Sequence, residues 1–133
     1  MSRHPYLATS YWVLGARPLS LRVELPAPEL AAVAGPEMAG RVAFVTPCNP
    51  GGRALPTDQN AILMRSGLAM LAARGLKSLP GVGLADDGCW CEPSALAWPL
   101  AEDKARELAA GWGQLAWLQV GNDWVPRLFF TGL

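Results

Sequence analysis

The residues best suited to chemistry lie in two stretches, Thr46-Pro47-Cys48-Asn49-Pro50-Gly51-Gly52-Arg53 and Trp90-Cys91-Glu92-Pro93-Ser94. The first follows a compact apolar run, Arg41 to Val45, and precedes a long helical pattern, so it leaves the end of a buried strand. Loops in that position are where α/β folds tend to hold ligands. Free N–H groups at a helix start, with Arg53 adding charge, suit an anion or another small polar molecule. The Lys-Ser/Thr of a P-loop is missing, however, and Asp58 beside the helix start would repel phosphate. The bland alternative is a rigid, proline-locked connection in which Thr46 and Asn49 bond the loop's own backbone.

Glu92 sits inside an apolar strand, where a carboxylate is expensive unless it is paired. A half-buried Glu with a raised pKa makes a general base or a ligand anchor, so Glu92 is the candidate catalytic residue. The alternative is an ion pair with a nearby Arg, or a residue that faces outward. Asn60 rides on a helical stripe with Met64, Gly67 and Leu71, and Gln114 opens a strand after Trp112-Gly113. The expectation is that Asn49, Asn60, Glu92 and Gln114 converge at one end of a sheet, with the two Asn amides and Arg53 donating to the carboxylate. An open cavity there implies a polar ligand; groups closed on one another imply a structural network.

Other chemistries fail on spacing. Gly81-x-Gly83 followed by Gly88 opens no helix and is no dinucleotide fingerprint. A Ser-His-Asp triad would have to recruit His4, and Ser94 lies in no nucleophile elbow. The cysteines, Cys48, Cys89 and Cys91, are odd in number, and the last two would share one face of a strand. They and a single histidine do not make a zinc site, so no metal and no cofactor is implied. Free thiols point to a reducing, cytoplasmic setting.

The elements that must position these residues follow from periodicity. Ser10 to Leu14 and Leu19 to Leu25 read as an antiparallel hairpin, the second arm by strict alternation. A short helix over Glu29 to Ala34 ends at Gly35-Pro36, and Arg41 to Val45 is a buried central strand. Thr57 is placed to cap a helix running to about Arg74, which is expected to be the most buried one. Gly81 to Ala85 and Cys89 to Ser94 flank Asp86-Asp87-Gly88 as a hairpin, the second arm running on to Trp98. Ala101, Ala105, Leu108, Ala109 and Trp112 give an amphipathic helix, with Glu102 and Arg106 paired on its outer face. Leu115 to Val120 and Trp124 to Phe130 are the last strands, and Pro126 makes the final one an edge. The order is ββαβαββαββ: an α+β (α/β-type) fold with a mixed sheet and about three packed helices.

Composition sets the limits. The chain has 133 residues, eleven basic and eleven acidic, and is 51% hydrophobic and 17% charged. A globule of this size exposes roughly 6,800 Å² where its extended chain exposes about 21,000 Å², enough burial for a single domain, 1–133. Disorder is excluded by the apolar content. Zero net charge argues against nucleic acid. No stretch approaches about 18 apolar residues, so no membrane span is expected, and Met1 to Tyr6 lack the apolar core of an export signal.

Phe44-Val45-Thr46 with Asn49-Pro50, Asn60, Trp90-x-Glu92-Pro93-Ser94 and Gly113-Gln114-Leu115-Ala116 together resemble the domain of unknown function 3293 family of small bacterial proteins. The resemblance spans Tyr6 to about Val120. It implies that Thr46, Asn49, Asn60, Glu92, Ser94 and Gln114 belong together, and it implies no activity. Pro47-Cys48 departs from the family pattern of a small residue followed by an aromatic one, which argues against a shared thiol chemistry. Two functions compete. One is a small-molecule binder or enzyme using the polar set, for a polar or anionic ligand. The other is an adaptor or inhibitor docking a protein partner through a surface rich in the six tryptophans.

Overall fold

The computed structural model describes residues 2–133. In chain order the elements are α1 (His4–Leu7), β1 (Thr9–Val13), β2 (Leu19–Leu21), α2 (Leu30–Ala34), β3 (Val42–Val45), α3 (Thr57–Ala73), β4 (Lys77–Ala85), β5 (Cys91–Trp98), α4 (Glu102–Gly111), β6 (Ala116–Val120) and β7 (Pro126–Phe130). Short 3₁₀ turns lie at Pro36–Met38 and Pro50–Gly52. The expected order holds from β1 onward. The addition is α1, a single turn with no buried residue.

The seven strands form one sheet in the order β2-β1-β4-β5-β3-β6-β7. Every neighbouring pair is antiparallel, so the sheet is not mixed. The reason lies in the two strand–helix–strand units. β3-α3-β4 joins strands that point the same way, but β5 is inserted between them; β5-α4-β6 does the same around β3. This is the split β-α-β arrangement of the ferredoxin-like motif, extended here by β1 and β2 on one side and β7 on the other.

Alternation along the three inner strands divides two cores. Val42, Phe44, Leu96 and Leu118 point to one face, with Val13, Leu21 and Leu128. Ala43, Val45, Ala95, Ala97 and Trp117 point to the other, beneath α3 and α4. Both faces of β3 are buried, which is why its sequence reads as an unbroken apolar run.

The sheet curls around the first face. β2 leaves the ladder early because Glu24 takes a left-handed φ of 71°. The chain then crosses to the opposite edge, where the Glu24 N–H donates to the Pro126 carbonyl at 2.8 Å and the Ala27 N–H to that of Trp124 at 2.9 Å. Tyr6 meets Phe130 edge-on at 5.9 Å. The result is a half-barrel whose two edges are clasped by residues 24–27.

Two expectations about α3 fail. Its stripe is as read, Asn60, Gly67 and Leu71 being buried and Met64 partly so, but the rest of the helix faces water, Ile62 being 58% exposed. The sheet covers it on one side, with Pro47 and Trp112 close against Gly67, and its outer face is left open. Thr57 does not cap it; Pro56 holds that position without a side-chain bond.

Gly81 and Gly83 pair with Ser94 and Glu92 across β4 and β5. They hollow the concave face rather than cradle phosphate. A Cβ on Gly81 would lie 2.7 Å from Phe44 Cε2 and 2.8 Å from the Trp12 carbonyl oxygen. Because one of those neighbours is backbone, Gly81→Ala should cost about 2 kcal/mol, read as a lower urea midpoint.

Candidate functional site

The loop after β3 is tied down before it reaches the polar cluster. Thr46 Oγ1 donates to the Pro93 carbonyl at 2.7 Å and accepts the Cys48 N–H at 3.0 Å. Gln114 Nε2 donates to the Cys48 carbonyl at 2.8 Å, and the Gly51 N–H to that of Gly113 at 2.8 Å. Asn49 then takes left-handed angles, φ 50° and ψ 53°, which Asn tolerates better than most residues.

Asn60, in the first turn of α3, fixes the Asn49 side chain. Its Oδ1 accepts the Asn49 N–H at 3.1 Å, and its Nδ2 donates to Asn49 Oδ1 at 2.8 Å. The same Asn49 oxygen accepts the Leu55 N–H at 2.9 Å. With its oxygen so occupied, Asn49 has one direction left for its amide, and Nδ2 donates to Glu92 Oε2 at 2.9 Å. Ser94 Oγ donates to the Glu92 carbonyl at 3.0 Å. Thr46, Asn49, Asn60, Glu92, Ser94 and Gln114 therefore cluster where β3, β5, β6 and α3 meet, and they act in three ways. Asn60 and Asn49 aim at the carboxylate, Thr46 and Gln114 brace the loop, and Ser94 bonds the β5 backbone.

Arg53 does not join them. It is exposed, because Gly51 and Gly52, with φ of 70° and 75°, turn the chain outward. The carboxylate thus receives one amide, not two amides and a guanidinium. Among the described residues no ion pair includes Glu92.

Glu92 instead borders an open cleft of about 810 Å³ on the concave face, walled by α1, β1, β4, β5 and the loop. Burial pushes its carboxyl pKa up to about 7, against the smaller opposing pull of Asn49 and of the Trp90 side chain. Burial also raises Tyr6, Tyr11 and the Cys48 thiol, and the neighbouring Glu92 charge adds to each. Tyr6 and Tyr11 were not legible as site residues. Alternation puts Tyr11 on the face shared by Thr9 and Val13, but nothing local says that β1 lies against β4. Tyr6 carries no signal at all.

The cysteines are free, Cys48 buried and Cys89 and Cys91 exposed. Among the described residues no group of three or more His, Cys, Asp or Glu side chains could hold a metal ion. Of the six tryptophans, Trp98 and Trp117 are buried and Trp12, Trp90, Trp112 and Trp124 are partly buried, each on a different element or turn. No described helix is long and apolar enough to cross a membrane.

A family described as "Protein of unknown function (DUF3293)" matches residues 45–117, from the end of β3 into β6. That span holds all six clustered polar residues and omits Tyr6 and Tyr11. No curated protein and no solved structure matches the chain.

Proposed function

The chain belongs to the DUF3293 family, whose description assigns no activity, and from its cleft we propose a small-molecule-binding protein in which Glu92 is the recognition and proton-exchanging group. The observation that carries this reading is a carboxyl oriented by the Asn60–Asn49 relay at the wall of an open cavity. A cavity of this size falls in the range of ligand pockets, about 300–1,000 Å³. A carboxyl titrating near 7 is divided between acid and base at neutral pH, the condition for general acid–base work. The Asn49–Asn60 pair is closed on itself and serves as support; Glu92 is the member left to meet a ligand. The exposed thiols of Cys89 and Cys91 fit a reducing, cytoplasmic setting.

The test is an amide NMR titration of the full chain with a set of neutral and charged polar fragments. Shifts should gather at Tyr11, Asn49, Glu92 and Gln114, and Glu92→Gln should weaken the best fragment by about tenfold or more, a loss of roughly 1.4 kcal/mol. Shifts confined to the outer face of α3 or α4 would refute the reading.

A further inference from the structure

The lining of the cleft carries two biases that converge on one chemistry. Among the described residues neither Lys nor Arg lines it, while Glu92, Asp86 and Asp87 do. Asp86 is neutralised by Arg22, at 2.7 Å; among the described residues Glu92 and Asp87 have no cationic partner, and His4 is the one basic side chain on the wall. The same cavity is bordered by the rings of Tyr6, Tyr11, Phe44 and Trp90. Tyr11 stands edge-on to Phe44, with centroids 5.5 Å apart and planes at 75°.

Resting on the reading of the cleft as a ligand site, we infer that its occupant is a small organic cation, an amine or guanidine on an apolar or aromatic body. Aromatic faces attract cations through their quadrupoles, and more so when desolvated. A carboxylate in an apolar hollow lacks the countercharge that would offset its lost hydration. An organic cation supplies that charge and lays its apolar part on the rings. An anion would meet Glu92 with no compensating base, since Arg53 points away. A neutral molecule would leave the carboxylate unpaired.

The inference carries a proton balance. The cation keeps its own protons, and the Glu92 carboxyl ionises as it binds, passing a proton to the buffer. The groups facing Glu92 are Tyr6 from α1, Tyr11 from β1 and Cys48 from the loop. Burial raises all three pKa values, so they stay neutral through this pH range. His4, Asp87, Cys89 and Asp86, the last paired with Arg22, also line the cleft.

Calorimetric titration of the full chain with benzylammonium, benzyl alcohol and benzoate tests it. Benzylammonium should bind tightest, and its affinity should rise about tenfold from pH 6 to pH 8, as the ionised fraction of a group near 7 rises. At pH 7 the heat should depend on the buffer's ionisation enthalpy, reporting proton release. His4→Gln should keep the pH dependence and Glu92→Gln should flatten it; the wild-type profile stands even if either variant folds poorly. Equal or tighter binding of benzyl alcohol or benzoate overturns the cation inference while leaving the cleft reading intact. Silence from all three probes at millimolar concentration overturns both.

Discussion

Asn49→Ala should lower the stability of the fold by about 4 kcal/mol. The side chain makes three hydrogen bonds in a buried setting, to Leu55, Asn60 and Glu92. Truncation leaves the Leu55 N–H and the Asn60 amide without their acceptor, and each buried unsatisfied group costs about 1–3 kcal/mol. Alanine also bears the left-handed backbone at φ 50° less well than Asn, a further cost of about 1 kcal/mol. Urea unfolding followed by circular dichroism reads the loss directly. Asn49→Asp separates the parts: it keeps the acceptor and the backbone preference but sets a second carboxylate against Glu92. Its deficit should be small at pH 5 and grow as the pH is raised.

Glu92→Gln should do the opposite of a typical core substitution and stabilise the chain at pH 8, by up to about 3 kcal/mol. The folded carboxyl titrates near 7 against an ordinary value of 4.5, with burial as the main cause. Between those two values the folded chain holds a proton that the unfolded chain has released. Stability is therefore undiminished below about 4.5, falls as the pH rises toward 7, and levels off above. Glutamine keeps an acceptor for Asn49 and never ionises, so its advantage should be absent at pH 4, appear through pH 6 and be full at pH 8. Urea midpoints of the two proteins at those three pH values measure it. A difference that does not vary with pH would mean that Glu92 titrates as an ordinary surface carboxyl. Taken with ligand binding, the substitution would trade function for stability, as expected of a group kept in place for chemistry.

The parts of the fold readable in the sequence are those governed by neighbours along the chain. Alternation located the β1–β2 hairpin, and the apolar run located β3. The 3.6-residue period found the buried stripe of α3. The polar set was legible for a related reason: Asn60 in an apolar stripe and Glu92 in an apolar strand each need a partner. What failed depended on contacts distant in sequence. A strand–helix–strand pattern reads as parallel, and the strand inserted between its arms is visible only in the sheet order. Gly51-Gly52 announced a turn without its direction, so Arg53 was assigned to a site it faces away from. The four residues of α1 are too few to show a period, and Tyr6 went unseen with them.

The clasp formed by residues 24–27 has a further consequence, for self-association. An open edge strand offers unpaired N–H and C=O groups to a second chain and so templates aggregation. Here one edge, β2, is three residues long, too short to seed a ladder. At the other, the carbonyl of Pro126, which opens β7, and that of Trp124 just before the strand are already occupied by Glu24 and Ala27, and Pro126 has no N–H to offer. The crossing that completes the half-barrel thus also shortens the open backbone that a growing fibril could extend.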